Sequence, residues 1–342
     1  MSSSTTHRQP SPPPAPFPLS APEAEAVTGG HWQGVAQDVV LHGAALDSRA
    51  VTPGCLFACV RGERVDGHDF AAGAAGDGAA LILSTRPVQV PVPVLVVADV
   101  ALALQALAML FRACHQGARW IAVCGANGKT TTKELLAAAC AGGGEPVHAT
   151  RGNLNNHLGV PLTVLNTPAD ARYCVIEIGT NAPGEVAALA PCVAPHVAVV
   201  TSIGPEHLEG FVDLAGVARE ECSVFAALAD DGAAFLGLHG LSGHATAAGT
   251  TTAAIAAIAR SAAHGRVLTL LDDAEATTGG ADVAVTGRVG VSPSVWTPRT
   301  APLKSACSVR TTWPMQLWLS MRRSPPGSRP RTRWPACRAR RR

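Results

Sequence analysis

The chain has 342 residues, 47% of them hydrophobic, which is enough for two or three domains and a sizeable core. The formal net charge is +2, yet twelve of the 27 Lys and Arg lie at or after Arg299, where Asp and Glu are absent, so residues 1–298 carry 15 basic against 25 acidic groups. An acidic body of this kind excludes a general nucleic-acid surface, and no apolar run reaches the length of a membrane span.

Residues 1–16 are rich in Ser, Thr and Pro and read as a disordered leader without the basic and apolar regions of a signal peptide. From about 17 to 112, strands and helices alternate. Strands are expected over "DVVLHGAALDSRAV" (38–51), "GCLFACV" (54–60), "ALILS" (80–84) and "VPVLVV" (92–97), with a helix over "DFAAGAAGDGA" (69–79). Apolar residues at three- and four-residue spacing predict a helix over 99–115, with Asp99 as its N-cap. A second unit begins near Gly117. "WIAVCG" reads as a strand, and "TTTKELLAAACA" as a helix stopped by the glycines at 142–144. "YCVIEIG" and "HVAVVTSIG" are continuous apolar runs ending in Gly, the pattern of parallel strands buried on both faces. Strands alternating with helices imply an α/β doubly wound fold, which binds ligands at the carboxyl ends of its strands. Those ends carry Gly125, Glu177 and Thr201-Ser202.

None of the ten cysteines forms a C-x-x-C pair, and several sit inside apolar runs, so a reduced, cytoplasmic protein is expected. The junction "GANGKT" (125–130) carries the clearest chemistry. Gly125 and Gly128 let backbone approach a ligand closely, the following helix aims amide groups and its positive dipole end at the same spot, Lys129 adds a full charge, and the Thr130 hydroxyl can ligate Mg²⁺. Val123 stands where a full G-x-x-x-x-G-K-T motif has its first Gly. Glu177 ends an apolar strand, either capping a neighbouring helix or ligating a metal beside phosphates. His207, flanked by Glu206 and Glu209, follows another strand end and is either solvated or in contact with metal or phosphate. Three Asn and a His within residues 153–157 exceed what a turn needs and suit contact with a polar ligand. "LDSR" (46–49) and "RGERVDGHDF" (61–70) are either solvated loops with salt bridges or a polyanion site.

"GANGKTTTKE", "HATRGNLNNHLGVPLTVL", "VIEIGTNAPGEV" and "VTSIGPEHLEGF", in this order and spacing, resemble the Mur ligases of peptidoglycan synthesis. "LDSRAVTPGCLFACVRGERVDGHDF" is similar to the UDP-sugar-binding domain of that family, and "GNLNNHLGVPL" favours its dipeptide-adding branch. The resemblance covers about residues 17–288. It implies a small substrate domain (17–112), a P-loop-like, three-layer parallel-sheet ATP domain (113–288), and an ATP- and Mg²⁺-dependent ligase. Such an enzyme joins UDP-N-acetylmuramoyl-tripeptide to D-alanyl-D-alanine through an acyl phosphate, as a cytoplasmic monomer with neither nucleic acid nor membrane as partner. Gly125, Ala126, Asn127, Gly128, Lys129, Thr130, Thr131, Asn155 and Asn156 would then contact ATP, and Lys129, Glu177 and His207 would be catalytic. Thr130, Glu177, His207 and Glu221 would hold metal, and Asp47, Ser48, Arg49, Arg61, Asp66 and His68 would bind the UDP-sugar.

Departures from the family pattern lie toward the carboxyl end. Glu221, in "AREECSVF", stands where the family has a lysine that is often carbamylated; it keeps a carboxylate on a shorter side chain, or is a solvated helix residue together with Glu220. No counterpart of the family's carboxy-terminal domain is found, so this chain is expected to turn over little, leaving an inactive fragment that binds ATP or UDP-sugar as the alternative reading. The basic tail, 289–342, holds four of the six Trp and keeps no helical or strand period. It reads either as a nucleic-acid-binding arm or as sequence translated out of frame. Joining each codon's third base to the next codon's first two turns Trp313-Pro314 and Met315-Gln316 into alanines, as in the family's "Asn-Ala" helix.

Overall fold

The structure, a computed structural model, describes residues 12–205, 211, 213–238 and 252–271. The expectations for Glu206, His207, Glu209 and the 289–342 tail therefore lie outside the described residues.

The described residues form two compact units, one of those up to Gln116 with His157–Ala171, the other of Gly117–Asn156 with those from Arg172 onward. In chain order the first unit has β1 (Pro16–Leu19), α1 (Ala21–Thr28), β2 (His31–Gln33), β3 (Val39–His42), β4 (Ala44–Ala45), β5 (Leu56–Ala58), α2 (Ala71–Gly76), β6 (Leu81–Ser84), β7 (Val94–Val96) and α3 (Val100–Cys114). The second unit begins with β8 (Arg119–Cys124), α4 (Lys129–Ala141) and β9 (Val147–Ala149). The chain then returns to the first unit for α5 (Gly159–Leu165). It re-enters the second as β10 (Tyr173–Glu177), α6 (Glu185–Val193), β11 (Val197–Val200), α7 (Leu214–Cys222), β12 (Ala233–Gly237), α8 (Thr252–Ala262) and β13 (Val267–Leu271).

In the first unit the order β2-β7-β6-β5-β4 makes a five-stranded sheet, parallel except for β2 against β7, and β1 pairs antiparallel with β3. The strand expected over 38–51 is broken into β3 and β4, which join different sheets. The break falls at Gly43, whose φ of +85° suits glycine and whose absent Cβ would lie 2.3 Å from Asn166 Oδ1. The expected helix over 69–79 shrinks to α2, entered through a 3₁₀ turn at Gly67–Phe70. Asp99 does cap α3, its carboxylate accepting from Leu102 N–H at 2.9 Å. Ala15, expected in the leader, is buried and donates its N–H to Thr167 O at 2.8 Å. Segment 157–171 is also tied down through Asn166, next to Thr167: Asn166 accepts from Ala44 N–H and donates to Ala44 O, at 3.2 and 2.9 Å.

The second unit is a six-stranded parallel sheet in the order β13-β12-β11-β8-β10-β9. Its central strands are apolar on both faces because helices cover both: the adjacent pairs Trp120 and Ile121, Val175 and Ile176, and Val199 and Val200 are wholly buried. Each such aliphatic side chain contributes about 1.5–3 kcal/mol of burial. From β8 the chain moves past β10 to the edge strand β9; from β11 it moves the other way to β12. The direction reverses between β8 and β11, and a crevice opens at their carboxyl ends. The register sets Glu177 opposite Val123 and Val200 opposite Cys124, so the β8, β10 and β11 tips lie level. The doubly wound α/β reading of the sequence holds here.

Candidate functional site

The loop between β8 and α4 is shaped by two glycines. Gly125 has φ +117°, and a Cβ there would lie 2.3 Å from Thr201 Oγ1 and 2.6 Å from Thr201 N. Gly128, the N-cap of α4, has φ +84° and open space where a Cβ would project, so its conformation alone demands glycine. No side chain caps α4, which leaves its positive end to attract an anion. The end of β11 latches the loop. Thr201 Oγ1 donates within reach of Asn127 O (2.6 Å) and Cys124 O (3.0 Å), while Ser202 Oγ accepts from Asn127 N–H at 2.9 Å. Ala126 N–H donates to Ser202 O at 2.9 Å. Lys129 Nζ lies 2.6 Å from Gly125 O and 3.0 Å from Ala126 O, folded back over the loop it would share with a phosphate. Asn127, Gly128, Thr130 and Thr131 are exposed along the loop and first helical turn.

Glu177 stands beside this loop. Its carboxylate is 2% exposed; Oε1 accepts from Asn155 Nδ2 at 2.8 Å and from the Thr130 hydroxyl at 3.2 Å. Its backbone N–H donates to Thr150 Oγ1 at 2.9 Å. Oε2 is buried with no hydrogen-bond partner among the described residues. A buried carboxylate oxygen left unpaired carries a large desolvation cost, which a divalent cation held between it and Thr130 would offset. The donors are hard oxygens, the set that Mg²⁺ prefers. Among the described residues no three His, Cys, Asp or Glu side chains gather around one point, and His207 lies outside them. Asn155 is thus brought to the site, whereas Asn156 is exposed.

Glu221, expected at the metal, is buried, and its Oε2 accepts from Gly125 N–H at 2.7 Å. Its neighbour Glu220 accepts from Gly184 N–H (2.6 Å), Val186 N–H (2.8 Å) and the Thr180 hydroxyl (3.3 Å) at the start of α6. Neither is a solvated helix residue. Burial above all, and then the Glu221 charge, pushes the Cys124 thiol well above its ordinary range, so that cysteine is inert.

Several contributors escaped the sequence reading. Lys133 is buried inside α4 and donates to Thr150 O at 2.9 Å and Glu134 Oε1 at 2.6 Å. Through Thr150 it braces the backbone of Glu177. Only its place in a helix face that packs inward could have flagged it. Thr201 and Ser202 were noted at a strand end, but their grip on the loop follows from β8–β11 pairing alone.

In the first unit, the loops after β4, β5 and β6 share the carboxyl edge of the sheet. After β4, Asp47 caps the Ser48–Ala50 turn and pairs with Arg49, whose guanidinium holds the Asp47 carboxyl down at about 2. After β5, Asp66 accepts from His68 N–H and faces His68 Nδ1; the backbone bond from His68 is the first cause that lowers its pKa. Thr85 N–H donates to His68 Nε2 at 3.2 Å, so the His68 proton sits on Nδ1, toward Asp66. Arg86, also missed, reaches Asp66 Oδ2 at 3.2 Å and lines a cleft with His68, Asp69 and Gln89. Arg61 is exposed, its backbone bridged to Asp66.

Two family models match in tandem: the Mur ligase family, catalytic domain, over residues 40–123, and the Mur ligase middle domain over residues 123–277. Over 210 residues the chain is 40% identical to UDP-N-acetylmuramoyl-tripeptide–D-alanyl-D-alanine ligase of Escherichia coli K12, a match spanning 61% of this chain and 46% of that protein. A crystal structure of MurF from Acinetobacter baumannii superposes with a TM-score of 0.62 at 31% identity, covering 75% of this chain and 53% of that one. The MurF ligase of Thermotoga maritima, solved in complex with ADP, gives 0.55 at 26% identity, covering 68% and 50%. The chain spans about half the length of the curated relatives it matches.

Proposed function

The chain belongs to the Mur ligase family, and on that premise we propose that it serves an ATP-dependent amide ligase adding D-alanyl-D-alanine to UDP-N-acetylmuramoyl-tripeptide in the cytoplasm. The second unit takes the nucleotide. The carboxyl-edge loops of the first unit, with Asp47, Ser48, Arg49, Arg61, Asp66 and His68, take the UDP-sugar, and Arg86 joins them.

A carboxylate is a poor electrophile, and phosphorylation corrects this. The γ-phosphoryl group of ATP passes to the tripeptide's terminal carboxylate, releasing ADP. The D-alanyl-D-alanine amine then attacks the acyl carbon; the new C–N bond forms, the C–O bond to phosphate breaks, and the amine loses its proton. Moving a phosphoryl group between anions calls for concentrated positive charge already in place. Lys129 leaves the Gly125 and Ala126 carbonyls for the phosphates, and the α4 N-terminus cradles them. Thr130 and Glu177 would hold Mg²⁺, which when bound neutralises phosphate charge. Asn155 fixes the rotamer of Glu177, while Asn156 and Thr131 stand on exposed positions open to the nucleotide.

One observation carries this reading: the buried, unpaired Oε2 of Glu177, one side chain away from the Thr130 hydroxyl at the mouth of a phosphate loop. The test is phosphate release in the presence of ATP, Mg²⁺, UDP-N-acetylmuramoyl-tripeptide and D-alanyl-D-alanine, with each left out in turn. Release that needs all four supports the ligase. ATP binding without release in the complete mixture replaces it with a binding protein.

A further inference from the structure

Two consecutive carboxylates on α7 close backbone amides of two different loops. Glu221 takes Gly125 N–H at the mouth of the phosphate loop, and Glu220 takes Gly184 and Val186 N–H where α6 begins. Both are buried, at 3% and 7% exposure. Gly125 is gripped from both sides: Glu221 holds its N–H, and its carbonyl lies 2.6 Å from Lys129 Nζ. Glycine at φ +117° is free to rotate, so these two contacts fix the turn: the Glu221 bond orients the 124–125 peptide through its N–H, and Lys129 the 125–126 peptide through its carbonyl. A loop with its backbone fixed in advance avoids the ordering cost of wrapping a phosphate.

We propose that Glu221 is a positioning residue for the phosphate loop, acting as a hydrogen-bond acceptor for Gly125 N–H and not as a metal ligand. The role needs an acceptor oxygen and no charge. Indeed the charge works against the site, since a buried carboxylate next to the loop repels phosphate, and Lys129 with the α4 dipole must outweigh it. A glutamine keeps the acceptor and drops the repulsion. Glu220 supplies the internal control, holding another loop from the next position of the same helix.

The inference rests on the proposed nucleotide site, but its first readout needs no nucleotide. Hydrogen exchange of the 123–128 segment is expected to match wild type in Glu221→Gln and to quicken about tenfold or more in Glu221→Ala, the scale of one charge-assisted hydrogen bond. Glu220→Ala should quicken exchange at 184–186 and spare Gly125. Calorimetric titration with ATP, in Mg²⁺ and in EDTA, follows. Glu221→Gln should bind at least as tightly as wild type in both, and Glu221→Ala about tenfold more weakly in both. Glutamine binding as poorly as alanine in Mg²⁺, while equalling wild type in EDTA, would make Glu221 a metal ligand and overturn the proposal. So would unchanged Gly125 exchange in Glu221→Ala. If Glu221→Ala does not fold, the glutamine variant alone decides, because only the acceptor role leaves it intact. A folded wild type that binds no ATP would sink the nucleotide reading and leave the exchange result standing.

Discussion

A methyl group at Gly125 would meet the backbone nitrogen of Thr201 at 2.6 Å, and alanine rarely adopts φ +117°. Gly125→Ala should therefore cost about 3 kcal/mol, from strain and overpacking together, as read by urea denaturation. A loss under about 0.5 kcal/mol would show that the loop yields easily. In the first unit, Asp47 offers a test by pH. Its pKa in the folded chain, about 2, lies below the ordinary 3.8, so its pairing with Arg49 favours folding above that ordinary value and fades as pH falls toward about 2. Carboxyl NMR should place the wild-type midpoint near 2 and move it part of the way up toward the ordinary value in Arg49→Ala, which keeps the backbone N–H bond of residue 49; an unmoved midpoint would remove the Arg49 guanidinium as the cause. At this scale the sequence was informative where residue type and chemistry coincide. Gly125, Gly128, Lys129, Thr130 and Glu177 each have few other reasons to stand at a strand–helix junction or an apolar strand's end. It was uninformative where the role depends on a distant partner. Glu221 bonds a residue 96 positions away, and no local pattern distinguishes an amide acceptor from a metal ligand.

At the scale of elements, the long buried strands of the second unit were readable because four or more apolar residues in a row fit few alternatives to a doubly covered strand. The short pieces of the first unit were not. A run such as 38–51 reads as strand throughout, but the chain turns at Gly43 (φ +85°), where Pro14 and a distant partner leave no room for a Cβ. That partner is Asn166, on a segment lying more than a hundred residues later in the chain and returning from the second unit's sequence. Asn166→Ala should remove its bonds to both Ala44 backbone groups and leave them buried, costing about 1–3 kcal/mol in the first unit. Thermal melts with hydrogen exchange across 41–45 would read this. Exchange there at the wild-type rate would mean that the 157–171 segment is held by its apolar contacts alone.

For the molecule as a whole, two units carry sheets that both present loops at their carboxyl edges, and the proposed ligase would divide UDP-sugar and nucleotide between them. In the second, the strand order reverses between β8 and β11, where the proposed nucleotide would sit, and the β11 tip locks the loop there. Groups from α4, from α7 and from the segment after β9 (Thr150 and Asn155) converge on one short turn and on the Glu177 carboxylate that ends β10. So many elements holding so few atoms is the arrangement expected of a preorganised phosphate site. The most direct test is a calorimetric titration of Mg²⁺-ATP into the whole chain and into Lys129→Ala, with folding of both confirmed by circular dichroism. The account predicts binding at one site in the wild type and affinity about tenfold weaker or worse in the variant. Equal affinities, or a folded wild type that takes up no ATP, would contradict it.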